Sequence, residues 1–364
     1  MKKLDRYILK GFLSTFFFCL ILLTVIVVVV DISEKTDDFV KSKLSTWRII
    51  TDYYIGFIPH IDAMLFPLFV FIAVIFFTSK MAGRSEVIAV LSSGVSYRRF
   101  MLPFLVGAII LSSILWLGYQ HVVPKANLIW GNFEKNYIDV NKGAANLNSS
   151  YKQYIYFRLD ANSYVGIRGY DTVSKSGTGL FVQKFRNNEL VYNLRSPNFN
   201  WDTASQKWRL LNVQERFFLQ KSETVKKYDS ARMTYNFKPF DLRKDEYLKD
   251  QMTTPDLDNF IELEKMRQSE SLSTLLVERY NRDAVPVSVF ILTVIGVSLA
   301  SRKVRGGSGM HLAIGIILCV LYILFSRVSV VFATKGTFSP WLASWTPNII
   351  YGFIAFYLYK RAPK

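Results

Sequence analysis

The sequence is short of the residues from which most catalytic and metal centres are built. Its 364 residues include only 2 cysteines and 3 histidines. Cys19 and Cys319 both fall inside apolar runs, so no disulfide framework is expected. His60 and His121 have no second ligand at metal spacing, so the sequence assigns no metal site and His60 reads as a helix-packing or interfacial residue. No G-x-x-x-x-G-K-[ST] stretch is present to cradle nucleotide phosphates. H-E-x-x-H and G-x-S-x-G are missing as well, so no catalytic residue is assigned. Acidic residues are scarce, 28 against 45 basic ones, which leaves a formal charge of +17. No nucleic-acid motif accompanies that excess, so nucleic acid is not an expected partner.

What the chain does have is apolar sequence in blocks. Hydrophobic residues make up 51% of it, and mean hydropathy is +0.19. Runs free of Asp, Glu, Lys and Arg cover 11–30, 63–79, 100–123, 284–301, 306–326 and 336–359, and the second is extended upstream to residue 53. Each reaches or approaches the length that crosses a bilayer, about 18–20 residues. Six spans follow. The first is read as retained, because its apolar run is long and no small-x-small cleavage site precedes Asp31.

Lys and Arg in the short loops orient these spans. One side carries Lys2, Lys3, Arg6, Lys10, Lys80, Arg84, Arg98, Arg99, Arg302, Lys303, Arg305, Lys360, Arg361 and Lys364 against Asp5 and Glu86. The other side's short loops hold Lys35, Lys41, Lys43, Arg48 and Lys335. The first side is therefore expected in the cytoplasm with both termini, and the segment between spans three and four outside.

That outer segment changes character. From 142 to about 247 it alternates apolar and polar residues in short stretches: 151–158, 163–168, 180–186, 190–195, 207–213, 216–221 and 232–238. Turn clusters separate them, which predicts an antiparallel sandwich or open barrel. It contains no Cys or His, so a binding or conduit role fits better than catalysis. Residues 269–280 read as an amphipathic helix on the outer membrane face, with Glu278, Arg279 and Arg282 at headgroup level. The three resulting regions are 1–121, 122–282 and 283–364.

The loop 78–103, TSKMAGRSEVIAVLSSGVSYRRFMLP, is built as one short surface helix over 85–93. Ser85 is placed to cap it, Glu86 sits in its first turn, Val87, Ile88, Val90 and Leu91 form an apolar stripe, and Gly94 ends it. It is an amphipathic loop helix or a coupling helix that docks into a separate cytoplasmic motor. Within the spans, Asp62 and Arg327 stand out, since charge inside a membrane faces water, a partner or the bundle interior. The two could pair, or Arg327 could join Lys35, Lys41 and Lys43 in a cationic outer rim.

LDRYILKGFL at 4–13, AGRSEVIAVLSSGVSYRRFMLP at 82–103, KWRL at 207–210 and ERYNRDAVPVSVFILTVIGVSLA at 278–300 together resemble the LptF/LptG permeases. The resemblance follows the whole chain in order, and the LDRYI start is closer to the LptG branch. It implies an α-helical polytopic membrane protein of six transmembrane helices with an inserted periplasmic antiparallel β-jellyroll-like domain, in the bacterial inner membrane. It implies a permease of an ABC transporter that extracts lipopolysaccharide and passes it to periplasmic jellyroll bridge proteins. The implied partners are a second homologous permease and a cytoplasmic ATPase dimer; ATP is bound by that ATPase, and the permease itself needs no cofactor. Ser85, Glu86, Val87, Ile88, Leu91 and Gly94 then form the ATPase-coupling helix. Lys35 falls where the family carries a basic residue for the lipid's phosphates. Where the family carries a second basic cluster, near 131 and 134, this sequence has Gly131 and Glu134, with Lys125 and Lys135 nearby instead.

Two other functions were open at this level. One is an ATPase-coupled scaffold that transmits motion without moving lipid, and the other a lipid-modifying enzyme. Missing nucleophile motifs speak against the enzyme. A lipid path needs an apolar cavity with a cationic rim, whereas a scaffold would leave Lys35, Lys41, Lys43 and Arg327 scattered.

Overall fold

The structure, a computed structural model, describes residues 3–139, 151–171, 174–187, 189–219, 222–239, 241–242, 248–267, 271–302, 308–336 and 338–362. Helix α1 (Lys3–Ser42) leads into the short α2 (Thr46–Ile49) and then α3 (Ile55–Gly83), α4 (Glu86–Ser92), α5 (Tyr97–Leu117) and α6 (Val123–Phe133). Six strands follow: β1 (Tyr151–Asp160), β2 (Ser163–Asp171), β3 (Ser176–Arg186), β4 (Glu189–Asp202), β5 (Lys207–Leu219) and β6 (Ser222–Met233). The chain returns through α7 (Leu248–Gln251) and α8 (Thr254–Arg267) to α9 (Leu272–Ala300), α10 (Ser308–Lys335) and α11 (Pro340–Arg361).

Among the described residues, five stretches are long and apolar enough to cross a membrane: Lys3–Ser42, Thr46–Gly83, Tyr97–Ile138, Leu272–Ala300 and Ala313–Lys335. α11 is the sixth helix of the bundle; Trp341, Trp345, Pro347 and Asn348 dilute its apolar content. α9 lies at the centre, packed against α3, α5, α10 and α11. α1 packs on α3 and α5, and its buried Phe12 and Phe16 join Phe69, Phe100 and Phe104 in the bundle core.

Helix continuity exceeds what the sequence suggested. The stretch after Asp31, whose Lys35 and Lys41 the charge pattern assigns to a short outer loop, continues α1 to Ser42, and Lys43 ends it in the left-handed region (φ 55°). No Pro or Gly interrupts it, and Asp31 is held by two tyrosines of the next span. Pro124 removes an amide and crowds the carbonyl four residues earlier. A wide π turn at Gly118–Val122 absorbs this, so Tyr97–Asp139 stays helical throughout. The amphipathic stretch 269–280 is not a separate surface helix: from Leu272 it is the first part of α9.

The inserted domain is one six-stranded antiparallel sheet in sequence order. Ile155, Val165, Ile167, Leu180, Val182, Leu194, Trp208 and Leu210 form its buried face. Phe237 and Leu242 cover that face, and the Trp208 indole donates to the Phe237 carbonyl at 2.9 Å. Arg267 of α8, buried, donates to Glu264, Asp241 and the Asn236 carbonyl at 2.8, 3.0 and 3.0 Å and lies over the Phe157 ring. It thereby ties the sheet to the helices. The two strands expected at 207–213 and 216–221 are one, bent at Asn212 (φ 53°) rather than turned. The sequence pattern places no strand over 222–231 and one over 232–238, whereas β6 spans Ser222–Met233. SETVKKYDSARM is polar on both faces, so only pairing with β5 defines it as a strand.

Candidate coupling and lipid-binding sites

At the α4 end, α4 matches the expected helix, but its start differs. Ser85 takes a left-handed backbone (φ 62°) and its side chain does not cap α4. Gly94 ends the element as expected, at φ 84°, a conformation that glycine adopts without a Cβ penalty. The apolar stripe is divided. Val87 is 1% exposed and belongs to the bundle core, with Val90 and Leu91 packed against it; Ile88 is 49% exposed. Val87 therefore holds α4 on the bundle and is not free to fill a groove on a partner, because a seven-residue helix has no stability of its own. Ile88, Ala89 and Ser92 form the outward face.

Glu86 is already engaged. The Tyr7 hydroxyl of α1 donates to it at 3.0 Å, and Arg84 stands 3.9 Å away. Two residues before Tyr7, the buried Asp5 carboxylate accepts from Arg99 of α5 at 2.6 Å. The first turns of α1 are thus fastened to both α4 and α5. No local spacing signals these contacts, which join residues 79 and 94 positions apart.

At the β-sheet end, Lys35 lies in a ring of aromatic and acidic groups. Its ammonium is ion-paired with Glu134, donates to the Tyr53 hydroxyl at 2.7 Å, and lies 4.8 Å from the Tyr53 ring centre and 5.9 Å from that of Trp130. Asp31, buried one turn below, accepts from the Tyr53 and Tyr54 hydroxyls at 3.0 Å each. Lys41 and Lys43 are exposed farther along.

Asp62 and Arg327 have different neighbours. Asp62 of α3 accepts from Thr24 of α1 at 2.6 Å, and Arg327 of α10, exposed, lies 3.1 Å from the sulfur of Met64 on α3. α3 thus forms a floor that touches α1 on one side and α10 on the other. The most apolar parts of α1 and α10 are only 11% and 22% buried, against 61% for α3 and α9. Phe18, Ile21 and Ile26 of α1 and Leu321 and Leu324 of α10 are exposed.

The junction between sheet and bundle holds a further set. Arg282, expected at headgroup level, is buried and fully used: it donates to Glu278, Thr254 and the Lys249 carbonyl at 3.1 Å each. Burial, then the Glu278 charge, pushes the nearby Asp250 carboxyl up to about 7. His60 packs as expected, 2.8 Å from Asn127 and 4.7 Å from the Trp130 ring. On the sheet, Tyr156, Tyr164, Phe181 and Phe185 line a cavity of about 840 Å³ with Arg158 and Arg267. Trp208 is core.

The model of the lipopolysaccharide export system permease LptF/LptG family matches residues 6–361. A protein of Aquifex aeolicus (strain VF5), described as an uncharacterized protein, is 33% identical over 144 residues, and the match spans 37% of each chain. The family model covers nearly the whole sequence and both branches together, and the chain belongs to the LptF/LptG family.

Proposed function

We propose that this LptF/LptG family member is one permease half of an ATP-driven exporter that lifts lipopolysaccharide out of the bacterial inner membrane and hands it to periplasmic β-sheet proteins. The carrying observation is the pair of apolar, largely unburied helix faces on α1 and α10 with α3 as the floor between them. Acyl chains fit such a groove, and a second homologous permease closes it from the other side. Both termini and α4 face the cytoplasm, where the excess of Lys and Arg belongs.

Hydrolysis is the work of a separate ATPase dimer, which binds the ATP. It meets the outward face of α4, with Ile88 as the apolar contact and Glu86 as the charge. Because Tyr7 and Asp5 fasten α1 to α4 and α5, a push on α4 reaches α1 directly. In the periplasm, β6 is an exposed edge strand, and edges accept a further strand through unpaired backbone groups. The scaffold alternative requires no lipid between α1 and α10 and predicts a purified complex free of lipopolysaccharide.

The test is purification of the chain with its native partners, mass spectrometry of the bound lipid, and crosslinking through β6 and through the central β3. Bound lipopolysaccharide and a periplasmic protein captured from β6 alone are expected. A complex free of lipopolysaccharide, with sheet crosslinks from β3, sinks the proposal.

A further inference from the structure

The cation that a lipid phosphate would seek at Lys35 is already occupied by the chain itself. Lys35 reaches across from α1 to Glu134, which follows α6, and the two side chains are 20% and 11% exposed. Tyr53 and Trp130 wall the pair, and Tyr53 also donates to Asp31. One carboxylate, Glu134, therefore takes the ammonium directly, and a second, Asp31, stands one turn below it, held by the Tyr53 and Tyr54 hydroxyls. A phosphate arriving at Lys35 would have to displace Glu134 and then stand beside its carboxylate. The displaced carboxylate would be left in an aromatic, poorly hydrated wall, and a buried charge that loses its partner is strongly destabilising. Like charges brought together disfavour the wrong ligand as effectively as contacts favour the right one.

We propose that Glu134 is a specificity-determining residue of the lipid path: by holding the Lys35 ammonium, it makes this half of the path take a glycolipid whose sugar carries no phosphate at this contact. The inference rests on the lipid-path function proposed above. A hydroxyl fits beside the pair, as the Tyr53 hydroxyl does; a phosphate dianion does not. Lys41 and Lys43, exposed beyond the cluster, meet the anionic groups that remain farther out on the molecule.

The experiment places a photo-crosslinker at the exposed Ile32 of α1 in the full complex, reconstituted with equal amounts of a monophosphorylated and a bisphosphorylated lipid A of the same acylation. The wild type is expected to capture the monophosphorylated lipid preferentially. Glu134→Gln frees Lys35 and should move the capture ratio toward the bisphosphorylated lipid by about tenfold, the scale of a close charge interaction across a binding surface. Glu134→Asp keeps the wild-type preference. Lys35→Met/Glu134→Met removes the cation as well and should lose the gain while still capturing lipid. A Glu134→Gln ratio within about twofold of wild type overturns the proposal, because a close charge pair is worth more than that. If Glu134→Gln fails to assemble, the wild type decides: equal or greater capture of the bisphosphorylated lipid overturns it. Capture of neither lipid by the wild type overturns the lipid path, and this inference with it.

Discussion

Glu86 shows what a single residue contributes and what the sequence could say about it. Its place in the first turn of a short helix was legible, because a carboxylate there and a glycine eight positions on bracket the element. Its partner was not, since Tyr7 lies 79 residues away and no local rule links them. Replacing Glu86 by Lys puts two cations, Arg84 and Lys, on the face proposed to meet the ATPase. Loss of a charge at such a contact weakens binding by roughly 2 kcal/mol or more. A Glu86→Lys complex should therefore bind the ATPase at least about thirtyfold more weakly, by the tenfold per 1.4 kcal/mol relation. Titration of the ATPase against the reconstituted permease measures this; unchanged affinity with unchanged transport removes α4 from the coupling path. The cationic residues divide in the same way. Lys35, Lys41, Lys43 and Arg327 were visible as charges near span ends, but whether each is open or paired depends on distant residues, and Glu134 decides it for Lys35.

Among the elements, the spans were the most legible, because a charge-free run of bilayer length has few alternatives. The errors came where an element is defined by its neighbours. β6 is polar throughout and exists by pairing with β5. The end of α1 is charged and persists because Asp31 is gripped from the next span. Val87 looked like part of a docking stripe, and it packs inward because α4 is too short to stand alone. The contact of α3 with α6 gives a sharp test of how closely these elements are fitted. A Cβ at Gly56 would lie 2.5 Å from the Ala126 carbonyl oxygen and 2.6 Å from the Trp130 amide nitrogen, both backbone atoms. Gly56→Ala should force the helices apart at a cost of about 1–3 kcal/mol. A lowered Tm of the purified protein in detergent is the expected readout, and a Tm equal to wild type contradicts the close approach.

For the whole molecule, α1 joins the two ends. Forty residues at 1.5 Å each give a rod of about 60 Å. It begins at Asp5 and Tyr7, beside the α4 contact, runs along α3, and passes the Asp31 and Lys35 cluster before it ends at Ser42. In the proposed exporter, this arrangement carries the motion of a motor at α4 along α1 toward a lipid at the other end. The most direct measurement is photo-crosslinking to lipopolysaccharide in the reconstituted complex, from Ile26 on α1, Leu324 on α10 and the exposed Phe353 on α11. Adducts at Ile26 and Leu324 that change with ATP hydrolysis, and weak ATP-independent ones at Phe353, are expected. Equal adducts at all three positions, indifferent to ATP, would contradict a lipid path between α1 and α10.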